Sequence, residues 1–154
     1  MKIRIATEHD IFQITRLFYD TVCKINRKDY TEEQIVVWSE HSKNDKDWLN
    51  NIKTQFFIVA ENDSEIIGFA SLDDNACVDF MYVHENYQGI GVATKLLIGL
   101  ESEAYKSGFV EIWSDVSITA KAFFIKKGFC ISKVYTKQVS DVDFENTIMV
   151  KSLV

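Results

Sequence analysis

Gln88, Gly89, Gly91 and Ala93 stand where an apolar run, "MYV", gives way to the spacing of a helix. The first N–H groups of a helix lack internal partners and sit at the positive end of its dipole. A phosphate can accept hydrogen bonds from such amides where no side chain blocks its approach. Small residues at 89, 91 and 93 leave that approach open, so Gln-x-x-Gly-x-Ala over 88–93 is a candidate anion cradle. Two other phosphate-binding patterns fail. A Walker loop needs a Gly-Lys pair in register, and none is there. A dinucleotide fingerprint needs Gly or Ala at the sixth position, which is Thr94, and the flanking strands read as antiparallel rather than doubly wound. Glycines also serve tight turns without any ligand, so the cradle rests on its context.

That context is a mixed α/β chain. "KIRIA" alternates as a strand, and Ile11, Ile14, Leu17, Phe18, Val22 and Ile25 recur on one face of a helix. Thr31 and Gln34 form a capping-box pattern that opens a second helix. "SEHSKNDKD" reads as a polar loop, and residues 20–53 as a variable helical insertion. "TQFFIVAE" and "EIIGFASLD" flank the turn "NDS" as a hairpin, and "ACVDFMYVHE" adds a third antiparallel strand. The glycine turn then opens a helix carrying Ala93, Leu96, Leu97, Leu100 and Ala104 on one face, stopped at Gly108. "FVEIWSD" is a strand, "ITAKAFFIKK" a helix ended at Gly128, and two strands close the chain.

With 154 residues, 47% of them hydrophobic, the chain predicts a single globular domain spanning 1–154. A net charge of −6 argues against nucleic acid as a partner. No apolar run is long enough for a membrane span, and "MKIRIATEHD" turns polar too early for a signal peptide, which predicts a cytoplasmic protein. Cys23, Cys77 and Cys130 are odd in number and lack metal-ligand spacing, as expected of reduced thiols with no metal site.

"MYVHENYQGIGVATKLL" and "SITAKAFFIKKGF", with the spacing between them and the order of strands around them, resemble the GNAT N-acetyltransferase superfamily over nearly the whole chain. Within it, the chain is similar to the small bacterial acetyltransferases of the YafP type. The resemblance implies an α/β (α+β) fold with a mixed, mostly antiparallel sheet of about seven strands. Two of these splay apart to admit acetyl-CoA. It places the pantetheine arm on Met81, Tyr82 and Val83, and the pyrophosphate on the amides of Gln88, Gly89, Ile90, Gly91, Val92, Ala93 and Thr94. Lys95, one position on, reads as a solvated helix lysine. In the second motif the resemblance implies further cosubstrate contacts: the Ser117 hydroxyl with one hydrogen bond to CoA, and Phe123 and Phe124 packed on the helix and the CoA arm.

The resemblance also implies an acetyl transfer to a primary amine, by direct attack in a ternary complex. Asp79 occupies the matching place for a general base, and an apolar strand suits a carboxylate that must take a proton. In a regular strand it shares a face with Cys77, Met81 and Val83, while Val78, Phe80 and Tyr82 share the other; a bulge would shift that facing. Pairing with a neighbouring cation or cap is the alternative for Asp79, and His84 and Glu85 read as turn residues. The family's usual acid, a tyrosine, is Phe124 here, which has no proton to give, and Ser117 replaces the common asparagine. Tyr82, Tyr30, Tyr135 or water remain as proton sources, and no spacing selects among them.

The acceptor is expected to meet the early helices, the 39–50 loop and the last hairpin. Phe18, Tyr19, Tyr30, Trp38 and Trp48 there form either a substrate wall or a core, and large aromatics more often fill cores. Asp20, Asp29, Glu32 and Glu33 suit a cationic amine or a solvated face equally. A small-molecule amine leads over a lysine or N-terminal protein substrate, and a catalytically silent acyl-CoA sensor is the other alternative. The closing strand leaves a homodimer open.

Overall fold

The computed structural model describes residues 1–154, with seven strands and five α-helices. β1 (Lys2–Ile5), β2 (Phe56–Asn62), β3 (Glu65–Leu72) and β4 (Val78–Val83) form an antiparallel sheet in that order. β5 (Glu111–Val116), β6 (Cys130–Val139) and β7 (Val142–Ser152) form a second, with β7 in the middle. The helices are α1 (Ile11–Lys24), α2 (Glu32–Ser39), α3 (Asp45–Thr54), α4 (Val92–Lys106) and α5 (Lys121–Lys126). The mixed α/β class and the strand count match the sequence expectation.

β2 and β3 are buried on both faces, which is why they read as nearly continuous apolar runs. On one side Ile58, Ile67, Leu96, Leu100, Ile112 and Met149 pack around α4. On the other, Ile14, Phe18, Trp48, Phe57 and Phe69 pack beneath α1 and α3. The β2–β3 hairpin turns through Asp63 and Ser64 at φ +50° and +68°, the left-handed pair a two-residue turn requires. The Thr31 capping box forms: Thr31 Oγ1 accepts from the Gln34 amide at 3.2 Å, and Gln34 Oε1 accepts from the Thr31 amide at 2.8 Å.

One expectation is corrected. The 39–50 segment is not a loop but a 3-10 turn, Glu40–Lys43, followed by α3. Asn44 caps α3 by accepting from the Asp47 amide at 3.2 Å. Its polar composition hid it, since Trp48 is its one buried residue. Trp48 and Phe18 belong to the core, whereas Tyr19 is exposed.

The two sheets meet at β4 and β5, parallel neighbours joined at one end only. Cys77 and Trp113 form an isolated bridge, the Trp113 amide donates to Ala76 O at 3.1 Å, and Ser114 Oγ donates to Val78 O at 2.7 Å. Past this point no ladder links the strands, and they diverge.

Candidate active site

The divergence opens a cleft of about 840 Å³. Its β4 lip follows from the pairing with β3. The His84 amide donates to Ile67 O at 2.8 Å, and backbone groups alternate in direction along an antiparallel ladder. Phe80 and Tyr82 therefore bond toward β3, while Met81 and Val83 turn their backbone groups toward the split. Tyr82, expected to offer its amide to the pantetheine arm, spends it on β3 instead, though it still lines the cleft.

The β3–β4 register slips at Asp79. Phe80 faces Ser71 and Val78 faces Leu72, which leaves Asp79 as the extra residue of a bulge. The simple alternation is thereby corrected: Val78 joins Met81 and Val83 on the α4 side, and Phe80 and Tyr82 take the α1 side. Asp79 is exposed at the cleft, where Gln55 Nε2 donates to its Oδ2 at 2.8 Å.

At the far end of β4 the chain turns through Gly89 at φ +74° and Gly91 at φ +92°, and Gly91 caps α4. Nothing lies within 4 Å of a Cβ built on Gly91, so glycine is required there by its backbone and not by crowding. Gln88 Nε2 donates to Val83 O at 2.6 Å, folding the turn back on the strand. His84 Nδ1 accepts from the Asn86 amide at 3.0 Å, a turn-stabilising role as expected, and Glu85 pairs with Lys24 at 2.8 Å. Ile90 is 68% exposed and outside the cleft lining, so only its amide remains as a candidate contact; the exposed Lys95 is outside the lining too. The other residues expected to hold cosubstrate all line the cleft.

The second lip sets Tyr135, a proton source the sequence offers, against groups that sequence reasoning did not find: Asp115, Asn146 and Lys137. Asp115 of β5 accepts from Tyr135 Oη at 2.5 Å and Asn146 Nδ2 at 3.0 Å, with Lys137 Nζ at 3.6 Å. Burial and this carboxylate push the Tyr135 hydroxyl up to about 12. The Cys77 thiol, at the vertex, is pushed up to about 12, chiefly by burial and further by the carboxylates of Asp73, Asp79 and Asp115. Only a polar residue inside an otherwise alternating strand, Asn146, hinted at this cluster.

Phe124 is 2% exposed, edge-on to Phe123 and Phe129, and supplies packing. Ser117 Oγ accepts from the Ala120 amide at 3.2 Å and so closes the turn that leads into α5. Beside it, Tyr30 Oη accepts from the Ile118 amide at 2.8 Å and keeps its own proton. Burial raises the Tyr30 hydroxyl above its ordinary value, opposed by the hydrogen bonds from Ile118 and Ser117. Tyr30 and Trp38 line the cleft, their rings 5.0 Å apart and T-shaped, both near Phe144 of β7. Of the acidic residues, Asp29 is bound to Thr119 and Glu32 to Arg27.

Two parallel strands splayed beside a left-handed glycine cap define an acetyltransferase fold. The family model described as the acetyltransferase (GNAT) domain matches residues 26–149, and the chain belongs to that family. It is 28% identical over 150 residues to the uncharacterized N-acetyltransferase YafP of Escherichia coli (strain K12), covering 97% of this chain and 94% of YafP. A GCN5-related N-acetyltransferase from Rhodopseudomonas palustris superposes with a TM-score of 0.94 at 28% identity, over 98% of this chain and 94% of that one. PaiA N-acetyltransferase from Thermoplasma acidophilum, solved in complex with coenzyme A, shares the fold at a TM-score of 0.83 and 23% identity, with 98% of each chain covered. The protein is thus an N-acetyltransferase. No helix is long and apolar enough to cross a membrane.

Proposed function

We propose that this enzyme moves an acetyl group from acetyl-CoA to a primary amine of a small molecule, by direct attack within a ternary complex. The observation that carries this reading is a continuous cleft running from the helix-capping glycine turn to the carboxylate of Asp79 at the β4 bulge. The α4 N-terminus offers free amides and a positive dipole end to a pyrophosphate. Met81 and Val83 offer strand backbone to the amides of a pantetheine arm. The thioester then lies toward the bulge, where Asp79 takes a proton from the acceptor ammonium.

The neutral amine forms a bond to the carbonyl carbon, and the carbon–sulfur bond breaks as the intermediate collapses. The nitrogen passes its second proton to solvent and the sulfur takes one from a general acid, which solvent then reprotonates, so the net change is the one proton left on Asp79. Tyr30 is the proton source that the geometry favours. Tyr135 already donates to Asp115, and burial pushes the Tyr82 hydroxyl well above its ordinary range among the rings of Phe18 and Phe69. Tyr30 has an oxygen fixed by Ile118 and a hydroxyl proton still to give.

Thiol release from acetyl-CoA, followed with a thiol reagent across a panel of diamines, amino sugars and amino acids, tests the reading. Release that requires both substrates is expected. Tight binding of CoA with no turnover on any amine would favour the sensor alternative, and turnover confined to lysine peptides would favour a protein substrate.

A further inference from the structure

Residues 24–30 leave the end of α1 and cross the mouth of the split. On the β4 side Lys24 Nζ pairs with Glu85 Oε1 at 2.8 Å. On the β5 side Tyr30 Oη accepts from the Ile118 amide, and Asp29 Oδ2 accepts from Thr119 Oγ1 at 2.8 Å. The segment is therefore a strap anchored to both lips just beyond the C-terminal ends of β4 and β5. Between its anchors lies Asn26, 5% exposed, at the wall of the cleft. Its Oδ1 is buried and has no hydrogen-bond partner. Buried polar atoms are nearly always paired, because water's hydrogen bonds are lost on burial. An orphan acceptor on a cleft wall is thus a place for a ligand donor.

We infer that Asn26 Oδ1 accepts a hydrogen bond from a pantetheine amide N–H, so that the strap holds the arm down from above while β4 holds it from the side. The inference rests on the acetyl-CoA reading given above. The neutral amide oxygen matches a neutral N–H donor. A cationic acceptor is better matched by the carboxylates Asp79 and Asp115, which also line the cleft. The strap spans the open end of the split, between the glycine turn and Asp79, which is the stretch the arm must traverse.

The test is titration calorimetry of the wild type and Asn26→Leu with coenzyme A and with adenosine 3′,5′-bisphosphate, which lacks the arm. Asn26→Leu is expected to weaken coenzyme A by about five- to tenfold and leave the bisphosphate unchanged. The ligand-free variant should melt at the wild-type temperature or higher, since an unpaired buried acceptor has been removed. A residue kept for structure alone would lower the melting temperature. Coenzyme A affinity within twofold of wild type overturns the inference, as does an equal loss for both ligands. If Asn26→Leu fails to fold, the wild type decides by itself: an ester-linked analogue lacking the N–H must bind more weakly than coenzyme A, and equal binding overturns the inference. A wild type that binds no coenzyme A would instead overturn the acetyl-CoA reading beneath it.

Discussion

Gln55 Nε2 donates a hydrogen bond to Asp79 Oδ2 at 2.8 Å, joining the end of α3 to the bulge of β4. Asp79 has no partner residue in the β3–β4 ladder, and this contact holds one of its carboxylate oxygens, Oδ2. The bulge frees the side chain from regular alternation, and Gln55 fixes where it goes.

Asp79→Asn should lower kcat by about 10²–10⁴-fold, the usual worth of a positioned general base. Gln55→Leu should lower kcat by about tenfold, because the carboxylate is still present but less well positioned. KM for acetyl-CoA should stay near wild type in both. Steady-state kinetics across pH check this, and full turnover by Asp79→Asn on a good acceptor would remove Asp79 from the mechanism.

Tyr30→Phe keeps the ring packed against Trp38 and Phe144 and removes only the hydroxyl. A kcat loss of about 10²-fold is expected, with Tyr82→Phe and Tyr135→Phe losing less. The wild-type hydroxyl is raised by burial, so the acid form persists above the ordinary tyrosine value of about 10. Any alkaline loss of kcat that belongs to Tyr30 must therefore lie above that pH and vanish in Tyr30→Phe.

Gly91→Ala places a side chain at φ +92° in otherwise open space, so its cost is backbone strain of about 1 kcal/mol. Gly91→Glu adds a negative charge at the α4 N-terminus. Urea melts should give similar stabilities for the two variants, while coenzyme A affinity should fall sharply in Gly91→Glu alone. Unchanged affinity there would displace the phosphate from this turn.

Asp10 is buried against Arg4, accepting from both guanidinium NH groups at 2.8 and 2.9 Å and from the Thr7 amide at 2.8 Å. The Arg4 hydrogen bonds hold its carboxyl below the ordinary value, against desolvation. A lowered folded pKa contributes stability fully present above the unfolded value of about 3.9 and lost as pH falls through the folded one. Asp10→Asn should cost about 2 kcal/mol at pH 7, and the gap to wild type should close on acidification below about pH 4. Denaturant titrations at pH 7 and at low pH measure both.

Cys77 should resist alkylation at pH 7.5 while Cys130 reacts, since only a thiolate is nucleophilic and burial pushes Cys77 up to about 12. Mass mapping after a timed iodoacetamide pulse reads the order.

The glycine turn, the Thr31 cap, the hairpin at Asp63 and Ser64 and the order of elements were legible in the sequence because each is written in neighbouring residues. Backbone preference, capping and periodicity act over a few positions, and residues 88–93 carry the glycines that a left-handed turn into a helix needs. The helix α3 was missed because Trp48 anchors it against residues distant in sequence, among them Phe18 and Phe80. The facing of Asp79 was decided by a register slip against β3, which the β4 sequence does not encode. Asp115 with Tyr135 and Asn146, Tyr30 on Ile118, and Asn26 alone at the cleft wall all depend on pairings across 20 or more positions or on the lack of one. The sequence by itself determined the glycine turn that opens α4; the tertiary structure decided which side chains line the cleft, because that depends on how two sheets come together and part.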